Sequence, residues 1–313
     1  MKKLIIFITF STFYQFSFCQ KTIVSTYLHF TGNIDKYPIE MTLCLDQGND
    51  SILYSTYFYS KYRETIRLKG TLIGNEVNLS EQIFDTKEEY YRVNGYFILK
   101  FDGFNKLTGT WQNEKRDKEL SVELACRENL IKFNPQKFRY KLNIYKGKSE
   151  SYIGEMREYD KINKLQIQDV KNKLIQNLTG FDEIISNKNG EIELEDINFD
   201  GFLDLKIPIY FPNLIKYDHS FLYYIYNAKL GKFIRNESLE SLGYLSFDAV
   251  AKEIIDVEAD GSGNESETYY KWYNGDFYLI REEKRYEESY DIFITEYQII
   301  NGKSVMVKEY KKE

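Results

Sequence analysis

The chain has 313 residues, a formal charge of −6, and 28 Tyr and 22 Phe against 4 Pro. That length exceeds one small core and points to two domains. The acidic balance argues against a nucleic-acid partner, and aromatic enrichment with few prolines favours strands.

Residues 1–19 read as an export signal. Lys2 and Lys3 precede an apolar run from Leu4 to Phe18 that is too short for a comfortable membrane span. Ser17-Phe18-Cys19 before Gln20 has the small-x-small form of a cleavage site, and bulky Phe18 disfavours lipid attachment at Cys19. Cleavage removes both lysines, so −6 becomes −8. No later stretch is long and apolar enough to be a transmembrane segment. The mature protein is expected in a periplasm or outside the cell.

Residues 20–130 read as an antiparallel β-barrel or sandwich. Seven segments carry strand patterns: Ile39–Leu43, Ile52–Tyr59, Thr65–Leu72, Val77–Leu79, Tyr96–Leu99, Leu107–Trp111 and Leu120–Leu124. Gly109 would let a neighbouring strand approach closely. Trp111 reads as a core residue before a ligand-stacking one. Cys44 and Cys126 are the two thiols left after cleavage, near the ends of this domain. In an oxidising compartment they are expected to form a disulfide, with two buried free thiols as the alternative.

Residues 131–313 form the second domain, entered through a polar connector around Asn134-Pro135. Ile167, Val170, Leu174, Ile175 and Leu178 recur at helical spacing, which predicts a helix over 163–178. Asn163 with Gln166 would cap it and Gly180 would end it. Strands follow at Ile192–Leu194, Leu205–Ile209, Phe221–Tyr226, Tyr269–Trp272, Phe277–Ile280 and 290–300. Asn274-Gly275 and Asn301-Gly302 are hairpin signals.

The stretch Asp196-Ile-Asn198-Phe-Asp200-Gly201-Phe202-Leu-Asp204 carries the clearest chemistry. Side-chain oxygens fall at relative positions 1, 3, 5 and 9, with Gly at 6, as in an EF-hand-type loop. Phe202 would offer its backbone carbonyl. Position 12 is Ile207 in place of a bidentate Glu, so Asp204 would act directly or through water. Ca²⁺ is the expected ion, in a structural role; a polar turn without metal would show similar residues.

A second acidic, Gly-rich segment runs through Asp260-Gly261-Ser262-Gly263-Asn264. It reads as an exposed recognition loop, a solvated hairpin connection or a second cation site. Only His29 and His219 are available for imidazole chemistry, and no nucleophile elbow, phosphate loop or metal-binding His pair occurs. A binding protein is therefore expected before an enzyme.

The calcium stretch, the aromatic strand after it, the Gly-rich loop and Tyr269-Tyr270-Lys271-Trp272-Tyr273-Asn274-Gly275 together resemble a group of exported bacterial proteins. These have a propeller-like β-fold with one EF-hand-like calcium loop. One member acts as an immunity protein against a secreted peptidoglycan hydrolase and is similar in shape to lysozyme inhibitors. The resemblance covers about 160–313; Asp196, Asn198, Asp200 and Asp204 match its calcium positions, while the Gly-rich loop is more acidic than its counterpart.

The fold class expected is mainly β. A barrel or sandwich is followed by a propeller-like antiparallel domain with one helix and a calcium loop. The resemblance implies an inhibitor or immunity protein whose partner is a protein, a cell-wall hydrolase. Contacts are expected at Asp260, Gly261, Ser262, Gly263, Tyr270 and Trp272. A periplasmic small-ligand carrier using the first barrel, and a carboxylate-based hydrolase, are the alternatives.

Overall fold

A computed structural model of the chain describes residues 22–85, 90–102, 105–187, 190–212, 219–287, 289 and 291–312. The expected export signal, with Phe18, Cys19 and Gln20, lies outside the described residues, as do Glu288 and Tyr290. Among the described residues no helix is long and apolar enough to cross a membrane.

The first eight strands close into an antiparallel barrel. They are β1 (Ile23–Ile34), β2 (Tyr37–Asp46), β3 (Ser51–Tyr59), β4 (Ile66–Ile73), β5 (Glu76–Asp85), β6 (Tyr90–Asp102), β7 (Lys106–Asn113) and β8 (Glu119–Cys126). Each pairs with the next, and β8 returns to β1 from Phe30↔Cys126 to Ile34↔Val122. The seven expected segments fall on β2–β8, with Thr65 one residue before β4. Strand β1 lacked an alternating pattern because it is buried on both faces and also pairs with a strand outside the barrel. A Cβ on Gly109 would lie 2.1 Å from the Ile98 carbonyl oxygen, so only glycine fits that crossing.

The chain leaves the barrel at Cys126 and crosses its end through 127–137, where Asn134 caps a short 3-10 turn with Pro135 at its start. Next come β9 (Phe138–Glu150), β10 (Met156–Asp169), β11 (Leu174–Leu178), β12 (Glu183–Ile185), β13 (Glu191–Glu195), β14 (Asp204–Tyr210), β15 (His219–Asn227) and β16 (Lys232–Arg235). They extend the barrel sheet, because β13 pairs in parallel with β1 from Ile23↔Glu191 to Thr26↔Leu194. One apolar core runs from Phe30 and Phe97 in the barrel to Leu194, Leu205 and Phe233 beyond it.

The helix expected over 163–178 is absent; two strands, β10 and β11, occupy that stretch. In β10 the buried residues are Ile162, Leu165 and Ile167, and an irregularity between Ile162 and Leu165 shifts the two-residue phase. A turn follows, with Asn172 at φ 63° and Asp169 accepting from the backbone N–H of Lys171 and Lys173. Val170, Leu174 and Ile175, which a helix would bury, are exposed. Gln176 exchanges two hydrogen bonds with the backbone of Phe233, tying β11 to β16 through a side chain.

Helix α1 is one turn, Glu237–Glu240, capped by Asn236. A separate six-stranded meander follows in sequence order: β17 (Tyr244–Asp248), β18 (Glu253–Ala259), β19 (Glu265–Tyr273), β20 (Asp276–Arg285), β21 (Ile292–Ile300) and β22 (Lys303–Lys312). Both Asn-Gly turns have positive φ at each residue, which tightens the β19–β20 and β21–β22 hairpins. Beneath this sheet Ile197, Tyr223, Leu239, Leu245 and Ile254 form a second, smaller core.

Candidate functional site

The acidic loop connects β13 to β14, which are paired at Glu195↔Asp204. Gly201 sits at φ 87° and Phe199 at φ 60°, so two left-handed residues fold the loop back on its first carboxylate. Asp196 accepts from the N–H of Asp200 at 3.0 Å and of Gly201 at 2.8 Å. Asn198 Oδ1 also accepts from Asp200 N–H at 3.1 Å, and Asp200 Oδ1 accepts from Phe202 N–H at 2.9 Å. Asp204 is fully buried, and its two oxygens accept from Ile197 N–H at 3.1 Å and Tyr226 N–H at 2.7 Å.

The structure therefore gathers Asp196, Asn198 and Asp200 at the head of the loop and sets Asp204 behind it. Burial pushes the Asp196 carboxyl up to about 7; the Gly201 N–H opposes this and the Asp200 charge adds to it. Burial likewise holds Asp204 well above the usual carboxylate range, with hydrogen bonds opposing and Asp196 and Asp200 reinforcing. Among the described residues no three His, Cys, Asp or Glu side chains stand together as metal ligands. A cation here would rest on two carboxylates, the Asn198 amide and backbone oxygen, all hard donors of the kind Ca²⁺ takes.

The recognition candidates divide. Asp260, Gly261, Ser262 and Gly263 form the exposed β18–β19 tip. Asp260 Oδ1 accepts from Ser262 N–H at 2.7 Å, Asn264 Nδ2 donates to Asp260 Oδ2 at 2.6 Å, and Asn264 Oδ1 accepts from Glu287 N–H at 3.1 Å. The Asn264 and Ser262 donors hold the Asp260 carboxyl below its ordinary value. The tip is thus a self-bonded turn. Tyr270 and Trp272 lie toward the other end of β19; eight residue steps along the strand separate Asn264 from Trp272, about 26 Å. Both pack on the second core, and Trp272 Nε1 donates to the Ile197 carbonyl at 2.8 Å. They anchor the meander to the acidic loop and do not share a face with the tip. A cleft of about 750 Å³ opens beside the tip, lined by Asp260, Asn264, Glu258, Glu265, Lys284 and Tyr286 among others.

The expected disulfide is not formed: Cys44 and Cys126 are free thiols. Cys44 faces Tyr27 and Cys126 faces Phe30 on opposite edges of β1. Two strand spacings across the sheet, about 9.5 Å, and three residues along β1, about 10 Å, separate them, beyond the reach of about 7 Å between bridged Cα atoms. Burial pushes the Cys44 thiol up to about 12 and raises Cys126 as well.

A buried charge network escaped the sequence reading. Lys206 Nζ lies 2.7 Å from Glu193 and 2.5 Å from Glu195, and over the rings of Tyr27, Phe221 and Phe247. His29 Nδ1 is 2.7 Å from Glu128, whose carboxylate also accepts the His29 backbone N–H. Burial disfavours charged His29, but the Glu128 hydrogen bond and nearby carboxylates outweigh it and raise its pKa. The available signal was the alternation Glu191-Ile-Glu193-Leu-Glu195 beside a lysine. It places three glutamates on one face, but only the Glu193↔Lys206 register reveals the partner of Glu193 and Glu195.

No protein-family model matches the chain, and no curated protein matches it. A solved structure described as a Xanthomonas type IV secretion system related protein is similar at 17% identity and TM-score 0.40, over 55% of this chain and 90% of that one.

Proposed function

We propose that the chain is an exported, calcium-stabilised recognition protein that inhibits a cell-wall hydrolase, acting by binding and not by catalysis. The observation that carries this is the self-bonded Asp260–Asn264 tip beside the 750 Å³ cleft. A turn already held in one shape loses little freedom on docking, which favours affinity. Its one carboxylate, Asp260, with Glu258 and Glu265 nearby, suits a basic, carbohydrate-binding cleft and favours fast, salt-sensitive association. Ca²⁺ is held by Asp196, Asn198, Asp200 and the Phe202 carbonyl, with Asp204 supporting the loop from behind through Ile197 and Tyr226. The propeller-like arrangement implied for 131–313, and location in a periplasm or outside the cell, belong to the same proposal.

The test is titration of the purified protein against a panel of peptidoglycan hydrolases, including any encoded beside it. Inhibition that weakens with salt and with deletion of 261–264, at unchanged melting temperature, is the expected result. Equal inhibition by the deletion variant removes the tip from the contact, and absence of inhibition across the panel overturns the reading.

A further inference from the structure

The barrel has unlike ends. At one, Trp111 and Tyr57 donate to buried Glu81 and close the interior. At the other, where the β2–β3 and β4–β5 connections lie, a cavity of about 680 Å³ opens under the crossing segment 130–139. That volume falls within the range of about 300–1,000 Å³ typical of small-molecule sites.

Leu28, Leu45, Leu72 and Phe101 give this cavity an apolar floor. Its polar groups are of both signs and are not neutralised by one another. Asp50 comes from the β2–β3 connection and Arg139 from the start of β9. Asp46, the last residue of β2, accepts from Ser25 Oγ at 2.8 Å and so faces away from Thr26 and the cavity floor. Among the described residues, the side chains of Asp50 and Arg139 make no hydrogen bond or ion pair. Thr26 also lines the cavity; it is 4% exposed and its Oγ1 has no hydrogen-bond partner. A buried hydroxyl left unpaired is costly, so a polar atom is expected to meet it.

We propose that the barrel mouth binds a small zwitterion with an apolar body, of the size of an apolar amino acid or dipeptide. Its carboxylate faces Arg139, its ammonium faces Asp50, and its side chain lies on the leucines and Phe101. A neutral lipid would use neither charge, and a purely ionic ligand would leave the floor wet. This inference is independent of the recognition proposal, which uses the opposite part of the chain.

The experiment is calorimetric titration of the full chain with leucine, phenylalanine and Leu-Leu, alongside their N-acetyl and C-amide forms. Saturable binding by at least one free zwitterion, lost in both capped forms, is expected. Arg139→Gln, on an exposed side chain, should weaken it about 10- to 100-fold, the loss of one charge-assisted hydrogen bond. Thr26→Val should weaken binding while the melting temperature of the free protein stays level or rises. No saturation by any probe at about 1 mM, a concentration that detects even weak sites, overturns the proposal. So does equal binding by the capped forms or by Arg139→Gln.

Discussion

In the barrel, buried Glu81 meets three neutral donors, from Tyr57, Trp111 and Asn94. Where β13 and β14 join the barrel, half-buried Glu193 and buried Glu195 share Lys206, and Glu128 holds His29. The two regions satisfy carboxylates by different means. Neutral donors fix geometry without adding a second buried charge, whereas an ion pair needs both partners or neither. The barrel should therefore fail by loss of volume and the junction by loss of charge balance.

That contrast is sharpest when one large side chain is removed from each region. Phe97→Ala deletes a fully buried ring and should cost about 3–5 kcal/mol through transfer and cavity terms. Lys206→Met keeps most of the volume but strands two carboxylates, and should also cost about 3–5 kcal/mol. Adding Glu195→Gln separates the mechanisms. It should restore part of the stability of Lys206→Met and none of that of Phe97→Ala, as read by urea unfolding of the three single variants, the two doubles and the wild type. Additive losses in both backgrounds would show that the junction behaves like an apolar core.

The acidic loop is the third case, in which carboxylates meet only N–H groups and one another. Calcium binding only the folded state adds about 2.7 kcal/mol at a hundredfold excess over its dissociation constant. Melting of metal-free protein should rise with Ca²⁺ and fall again with chelator, and Asp200→Ala should abolish the difference. Identical melting curves with and without chelator would assign the loop to the neutral-donor class of the barrel.

How far these regions were legible follows from how local their causes are. The Asn274-Gly275 and Asn301-Gly302 turns were readable because positive φ is a property of the residues themselves. Strands such as β8 were readable because Val122 and Leu124 alternate with exposed neighbours. Strand β1, buried on both faces, offered no alternation. The 163–178 stretch mimicked a helix because an irregular β10 and the turn at Asn172 brought apolar residues to helical spacing. The acidic loop was visible as a turn from its own sequence. The separation of Asp260 from Trp272 needed the length of β19, and the partners of Lys206 needed strand register. The cavity at Thr26 needed the closed barrel.

Within the barrel, Glu81→Gln tests the neutral-donor arrangement directly. An amide keeps one acceptor and turns the other oxygen into a donor, so one of the three partners is left facing N–H. Loss of about 1–3 kcal/mol is expected. The Trp111 indole N–H resonance should also shift, because Glu81 Oε1 accepts from it at 2.7 Å. Wild-type stability with an unmoved indole signal would mean that Glu81 does not hold that end closed.

The smallest effect is expected in the meander, where buried Asp256 has neither a cation nor a full set of donors. Its Oδ2 accepts from Gly243 N–H at 3.2 Å, and its Oδ1 has no partner. Burial raises its pKa, opposed by the Gly243 hydrogen bond and reinforced by Glu258. A raised folded-state pKa means that the folded chain retains the proton longer than the unfolded chain. The resulting stabilisation is complete below the unfolded carboxylate value near 3.9 and is lost as pH rises through the folded value. Asp256→Asn carries no charge at any pH and still accepts from Gly243. It should melt with the wild type near pH 3.5 and about 1–2 °C above it at pH 8, a shift within reach of differential scanning fluorimetry. A constant difference across that range would show that the Asp256 charge is already compensated and would place the meander with the junction.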